Sequence, residues 1–448
     1  MQAEGVEAFG YKQELKRSLN LFDLLVYGLV FIVPGAPIAV FGIVFNAGKG
    51  MVPLVYLIGL IAMVFTAFSY MAMSRAFPVA GSVYTYAGRS IGPTAGFFTG
   101  WAMLLDYLLL PTLIFVVIAI AIQASVPIVP KAVWVVAMVF VCTLVNYFGI
   151  ETTARMSVAM LMLQIVLLVV FFVLGLSALA HGTAGAHLSL APFYNPAVLT
   201  PSLIFGALSL AVLSFLGFDA ISTLSEETRG GPAMIGRATI LSLCLSAVLF
   251  VAQTYLACLF VLGRTSFAPG DPTNDAFYDI AYKIGGYWLK FVMTVPMIVI
   301  GGFAGALTAQ AATARLLFSM ARDGKLPKTL AHIDPVRKVP VRATLLIAAI
   351  TLVLGVALVD RLELLTSMVS FGALIGFLML HVSVIVYFRN SPNRFRHLVL
   401  PVIGLVIIAY VLWNAELNAK IAGICWLAAG AMFYAVTRRR SIGPPSLL

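Results

Sequence analysis

Residues Leu21–Phe45 read LFDLLVYGLVFIVPGAPIAVFGIVF, a run long enough to cross a bilayer, since about 20 residues at 1.5 Å rise cover the hydrocarbon core. Near its centre stands Val33-Pro34-Gly35-Ala36-Pro37, where two prolines remove backbone donors and clash with the preceding turn. A straight helix is not expected there. Non-helical backbone at that depth needs protein or a water-filled cavity around it, and such breaks present helix ends to substrates and ions; a proline kink without function is the alternative. Val33, Pro34, Gly35 and Ala36 are the first candidate binding residues.

Working outward, the same apolar character recurs along all 448 residues: 62% are hydrophobic and 10% charged, which excludes a water-soluble fold. Twelve runs read as membrane-crossing helices: Leu21–Phe45, Val52–Ala76, Gly92–Ala124, Val133–Phe148, Met156–Leu179, Leu203–Leu224, Ile240–Leu262, Leu289–Met320, Ala343–Val359, Leu362–Phe388, Leu398–Asn414 and Ile421–Val436. The loops between them are short, so a single membrane domain over 19–437 is expected, between tails 1–18 and 438–448. The basic start followed by an apolar helix resembles a signal peptide, but that helix is too long and lacks a cleavage site.

The net charge of +11 comes from 28 Lys and Arg against 17 Asp and Glu, set in short gaps between apolar runs and not in a stripe that nucleic acid would bind. With the N-terminus inside, 21 of the 28 basic residues fall in cytoplasmic segments and 7 in outer ones, so both termini are expected in the cytoplasm. Cys142, Cys244, Cys258 and Cys425 lie in or at the ends of apolar runs, without metal-ligand spacing. None falls in an outer loop between the third and fourth spans, and no disulfide-linked partner is expected. With no nucleotide-binding loop, no zinc motif and five scattered histidines, neither an enzyme nor a cofactor is indicated.

The sixth run carries Ser214-Phe215-Leu216-Gly217-Phe218-Asp219, a second interruption, with an ionisable residue about halfway across. Two broken helices five spans apart imply an internal repeat, and because five is odd the second unit enters from the opposite side. That is an inverted repeat, about 19–180 and 200–389, with its binding site at the interface. Helices at about 397–437 follow it. Small residues at spacing four, Gly96 with Gly100 and Gly301 with Gly305, let helices approach closely. The third and eighth runs, 33 and 32 residues long, imply tilt rather than extra depth.

Four stretches then carry a resemblance. They are Phe77-Pro78-Val79-Ala80-Gly81-Ser82-Val83-Tyr84-Thr85-Tyr86, Leu104-Leu105-Asp106-Tyr107, Ser214 to Asp219 continuing through Ser225-Glu226-Glu227-Thr228, and Ala314-Arg315 with Met320-Ala321-Arg322-Asp323-Gly324-Lys325-Leu326-Pro327. The chain resembles the amino acid–polyamine–organocation transporters over nearly its whole length, most closely the bacterial putrescine importers. The resemblance implies a LeuT-type fold of five plus five helices, discontinuous helices 1 and 6, two extra C-terminal helices, and a substrate held between the breaks. Amino acid members usually carry a Gly-Ser-Gly kind of run at the first break, whose amides bind the substrate carboxylate. Pro34-Gly35-Ala36-Pro37 offers fewer N–H groups, which favours a substrate without a carboxylate. Gln164 lies near the position where some proton-coupled members place a lysine.

An ionisable group at bilayer depth costs at least about 2.5–3.5 kcal/mol on insertion scales and marks a site by default. Asp106 and Asp219 qualify. Asp219 reads either as counter-ion to a substrate ammonium, as a proton carrier, or as a hydrogen-bond acceptor for freed backbone. Asp106, with Tyr107 adding a hydroxyl and a ring face that attracts cations, has the same options or ties helices together. Two carboxylates with Phe215, Phe218, Trp101 and Phe371 would suit a linear diamine, although most of these rings are expected in packing. Ser370, Phe371, Gly372 and Gly376 stand where the tenth helix helps close the outer path. Asp23 is expected to cap the first helix or to form a loop salt bridge. Glu226 and Glu227, about 10–12 Å beyond Asp219 if the chain is α-helical, read as an inner gate with Arg89, Arg229 or Arg315, or as a solvated pair. Asp271, Asp275 and Asp279 either draw cations to the entrance or form a solvated loop helix.

The expected function is therefore secondary import of a small organic cation, putrescine or a related amine, by alternating access and driven by protons, in the plasma or inner membrane. The substrate-binding set is Val33, Pro34, Gly35, Ala36, Asp106, Tyr107, Ser214, Phe215, Gly217 and Asp219, with Asp219 and Asp106 as proton-coupling candidates. An amino acid symporter or exchanger is the alternative. A membrane sensor of amines ranks last, because the termini are too short for a signalling domain.

Overall fold

The computed structural model describes residues 17–440 apart from 80, 126–127, 149, 230 and 416. The described chain is helical, and its β-type pairing is an isolated parallel bridge between Leu19 and Thr228. In chain order the helices are α1 (Leu21–Ile32), α2 (Ala36–Ala47), α3 (Val52–Ala76), α4 (Ser82–Ser90), α5 (Pro93–Ser125), α6 (Lys131–Tyr147), α7 (Ile150–Ala180) and α8 (Pro201–Phe215), followed by the 3₁₀ segment Phe218–Glu227. Then come α9 (Pro232–Leu259), the short α10 (Asp271–Asn274), α11 (Ala276–Arg322), α12 (Val341–Ala357), α13 (Leu362–Tyr387), α14 (Leu400–Asn414) and α15 (Leu417–Arg440).

Each of the twelve apolar runs is occupied by helix, and among the described residues nine helices are long and apolar enough to cross a membrane, or ten with α1 and α2 counted as one span bent by 43°. The shorter apolar helices α6 and α12 occupy the fourth and ninth runs. α4 was not expected: at nine residues, with a polar mix of Ser, Thr, Tyr and Arg, it is too short to register as a span. It packs on α5, where Gly96 sets its backbone directly against Gly88. Gly100 rests against Tyr84 and Met320, and Gly305 against Val33, so the small-residue pairs do bring helices into close contact.

Local chemistry sets the ends. Asn20 accepts from the amides of Phe22 and Asp23 while Asp23 accepts from the Asn20 amide at 2.9 Å, a capping box that is one of the two roles expected of Asp23. Thr200 caps α8 by accepting from Leu203 N–H at 3.2 Å. α11 is bent at Gly285 and Gly286, the latter at φ 67°, which places the long apolar stretch after the bend and accounts for the eighth run starting at Leu289. Near that bend Asp279 pairs with Lys290 at 2.8 Å; the side chain of Asp271 lies outside the described residues.

Enclosure divides centre from rim. The spans of α5 and of α8 with its 3₁₀ continuation are 78% buried over their apolar windows, against 17% for α15. The centre is therefore built from the helices that carry Asp106 and Asp219. On the rim, His381 of α13 is buried, hydrogen-bonded to Ser69 at 2.9 Å and Thr66 at 3.3 Å, and lies against Gly404 of α14. This satisfies a polar ring that bare hydrocarbon would penalise.

Candidate functional site

The first break forms because Pro34 disfavours the helical region for the residue before it, and Val33 takes φ 58°, ψ 98°. α1 ends there and α2 restarts at Ala36, with Pro37 in its first turn where no donor is lost. The amides of the break are largely spent: Val33 N–H donates to Leu29 O at 3.1 Å, Ala36 N–H to Val33 O at 2.8 Å, and Pro34 has none. Gly35 alone of these four offers an unspent N–H among the described residues. A Cβ there would meet the terminal methyl of Met297. The freed Pro34 carbonyl accepts from Gln253 Nε2 of α9 at 2.9 Å.

The second break is made by Leu216 in extended conformation and Gly217 at φ 114°, a conformation that favours glycine. A Cβ on Gly217 would also run into the ring and backbone of Phe31. The two breaks therefore touch. The chain then continues as a 3₁₀ helix, whose rise of about 2.0 Å per residue carries Glu226 and Glu227 about 14–16 Å beyond Asp219, further than an α-helix would.

Asp219 sits at the start of this segment, buried, accepting from Gly217 N–H at 3.2 Å and from the Tyr107 hydroxyl at 2.7 Å. The contact with freed backbone is one of the options read from sequence; the bond from Tyr107 is not legible there. Asp106 is buried as well, within electrostatic range of Asp219, and its Oδ1 has no hydrogen-bond partner. Among the described residues neither carboxyl pairs with a basic side chain. Tyr70 walls the same space, edge-on to Phe218 at 5.9 Å and to Tyr86 at 6.3 Å.

Tyr107 is positioned by a further device. Pro111 lies inside α5 and lacks the N–H that would bond the carbonyl four residues back, which is that of Tyr107. Thr313 of α11 donates its hydroxyl to this carbonyl at 2.6 Å, tying α5 to α11 beside Asp219.

The 3₁₀ segment ends on two ion pairs. Arg315 Nε contacts Glu227 Oε1 at 2.5 Å and its Nη2 contacts Oε2 at 3.3 Å; Arg322 contacts both oxygens of Glu226 at 2.9 and 3.1 Å. Ser18 and Leu19 amides both donate to the Glu227 carbonyl, and Arg229 N–H to Leu19 O, so the segment preceding α1 is laced over this end.

A model of the amino acid permease family matches residues 24–436. The chain belongs to the amino acid permease family. Over 440 residues, 96% of each chain, the permease is 32% identical to the low-affinity putrescine importer PlaP of Escherichia coli. It is 24% identical to the branched-chain amino acid permease BcaP of Bacillus subtilis, over 97% of this chain and 96% of that one, and 24% identical to the methylthioribose transporter of the same species, over 98% and 96%. The permease is thus a multi-pass membrane transporter of the amino acid–polyamine–organocation superfamily, and not an enzyme.

Within the permease, the predicted residues separate. Val33, Pro34, Gly35, Ala36 and Gly217 form the touching breaks; Asp106, Tyr107 and Asp219 form the acidic centre. Ser214 and Phe215 turn away, Ser214 bonded to Tyr56 at 2.8 Å and Phe215 packed on Tyr56 and Phe250. Trp101 and Phe371 do not line the centre. Trp101 stacks on Trp426 of α15 at 5.0 Å, each indole N–H donating to the other's carbonyl, and Phe371 fills the space over Gly423. Gln164 lies against Gly301 with its amide buried and unpartnered. Of the three arginines named for the gate, Arg315 pairs with Glu227, Arg229 donates to Arg17 O, and Arg89 is exposed at the end of α4. Arg322 was missed, as were Gln253, Tyr70 and Thr313. Their partners are remote in the chain, 219 residues for Gln253 and 206 for Thr313, and no local pattern announces such pairs.

Proposed function

We propose that this permease imports a small organic cation, putrescine or a related amine, coupled to protons, by alternating access through twelve membrane crossings arranged as a five-plus-five inverted repeat with two further C-terminal helices. Both termini lie in the cytoplasm, and the membrane is the plasma or inner membrane. The observation that carries this reading is the buried pair Asp106 and Asp219, with no basic partner among the described residues. Two carboxylates cannot stay charged in a low-dielectric interior without compensation, and a proton and an ammonium group are the two cations that fit a site of this chemistry. The spent amides at Val33 and Ala36 argue against a carboxylate on the substrate, and the name of the Escherichia coli relative points the same way.

In this mechanism Asp219, oriented by Tyr107 and Gly217, receives one ammonium. Asp106, with a vacant oxygen, carries the exchangeable proton or the second ammonium. Glu227 with Arg315 and Glu226 with Arg322 close the inner path and part when the site opens inward. The membrane potential contributes about 2.3 kcal/mol per charge per 100 mV, so entry of a divalent amine is favoured even before protons are counted.

The second reading, an amino acid symporter or exchanger, is supported by the 24% identical branched-chain permease. Uptake of labelled putrescine into proteoliposomes under an inward proton gradient, competed by cadaverine, spermidine, ethanolamine and neutral and basic amino acids, separates the two. Saturable uptake blocked by amines alone is expected. Transport of an amino acid with no putrescine uptake would overturn the cation assignment.

A further inference from the structure

Away from the acidic centre, a cavity of about 390 Å³ opens between the ends of α3, α13 and the turn that leads into α14. Its walls include Arg75, Arg396, His397, Met71, Tyr387 and Phe388, and no acidic side chain lines it. Neither Arg75 nor Arg396 has a carboxylate partner among the described residues. Residues Phe395–Val399 form a π-helical turn, a feature that often marks functional sites. The His397 ring stacks on Phe388 at 4.1 Å, and its Nδ1 is engaged by Ser391 Oγ at 2.7 Å, leaving Nε2 as the ring's second polar atom.

Two unpaired guanidinium groups and an imidazole in one cavity are suited to phosphate, which arginine holds through paired N–H donors. Two sources share that chemistry, a free phosphate ester and the head of a membrane lipid. The surroundings favour the lipid. The cavity lies at the ends of α3 and α13, where the turn after α13 carries Arg389 and Arg394 besides Arg396, and from it the chain runs on into α14 with an exposed apolar face. Phe395 is 65% and Val406 62% accessible on that stretch, with Leu398 and Val402 between them. Acyl chains would lie along this face while the head group fills the basic cavity, the arrangement by which basic pockets between transmembrane helices hold anionic lipids.

We propose that this cavity is a binding site for the phosphate head of an anionic phospholipid of the cytoplasmic leaflet, which fastens the ends of α3, α13 and α14 together. The inference depends on membrane insertion and not on the substrate assigned above. The test is native mass spectrometry and thermal unfolding of the purified full chain in detergent, titrated separately with phosphatidylglycerol, cardiolipin, phosphatidylethanolamine and glycerol 3-phosphate. The expected result is retention of the anionic lipids over phosphatidylethanolamine, a raised unfolding temperature with those lipids alone, and binding weakened about tenfold or more in Arg75→Gln/Arg396→Gln, since charge-assisted hydrogen bonds are lost. Equal retention of all lipids, or unchanged anionic-lipid binding in the double variant, would overturn the proposal. Stabilisation by glycerol 3-phosphate equal to that by the lipids would also overturn it, in favour of a soluble anion. If the double variant does not fold, Arg396→Gln is read by the same criteria.

Discussion

Asp106 and Asp219 are both buried acids on apolar helices, yet their surroundings set them apart. Asp219 is held by a tyrosine hydroxyl and a backbone amide, whereas Asp106 keeps an unpartnered oxygen. In the proposed mechanism the first receives the substrate ammonium and the second takes a proton or a second ammonium. Asp219→Asn is therefore expected to remove amine uptake at every pH, and Asp106→Asn to flatten the pH dependence of the uptake that remains. Rates in proteoliposomes from pH 5.5 to 8 check both, and an unaltered pH profile in Asp106→Asn would remove it from proton coupling. Tyr107→Phe deletes one donor to a charged group, worth about 1.5–3 kcal/mol. Half-saturation for the amine should rise at least about tenfold with the fold intact. The two acids are legible in the chain because hydrocarbon makes any charge expensive; their different hydrogen bonding is not, since Tyr107 and Gly217 reach Asp219 only through the fold.

Among the elements, the two breaks rest on different devices. Prolines interrupt α1–α2, and a glycine at positive φ interrupts α8. Both are readable from residue type alone. What completes the first break comes from α9, where Gln253 takes the Pro34 carbonyl. Gln253→Leu leaves that buried acceptor unpaired, at about 1–3 kcal/mol, and a lower unfolding temperature in detergent is the expected readout; an unchanged temperature would mean that water or another donor replaces it. The 3₁₀ form of Phe218–Glu227 was not legible, because apolar spacing over ten residues separates it poorly from an α-helix. That difference moves the glutamates by a few ångströms and decides which arginines they meet.

For the whole molecule, the arginines of α11 pair with the end of the 3₁₀ segment, with the residues before α1 bridged across it. Arg315 and Glu227 are both buried, and removing one partner of such a pair costs about 3–5 kcal/mol. Arg315→Ala is expected to destabilise the permease strongly. Glu227→Gln/Arg315→Gln, which removes both charges, should recover much of the loss while raising thiol labelling of a cysteine placed at Ser222 from the cytoplasmic side. Thermal unfolding and labelling rates measure the two effects, and a double variant no more stable than the single one would show that the pair does not act as a unit. The reciprocal indole bonds of Trp101 and Trp426 dock α15 on α5, so a ring that composition alone offered to the substrate belongs to helix packing.

The amino-acid order by itself determined that this chain lives in a membrane, where its helices run, where two of them break and which acids sit at depth. Each follows from a local cost, of unpaired backbone or of charge in hydrocarbon, that a residue incurs whatever its neighbours. Only the tertiary structure decided that the breaks touch at Gly217 and Phe31, that Thr313 and Gln253 take the carbonyls the prolines set free, that Arg322 meets Glu226 in a two-oxygen pair, and that Arg75 and Arg396 face one cavity. These are pairings between residues far apart in the chain, and they exist only where packed helices bring matching donors, acceptors and charges within reach.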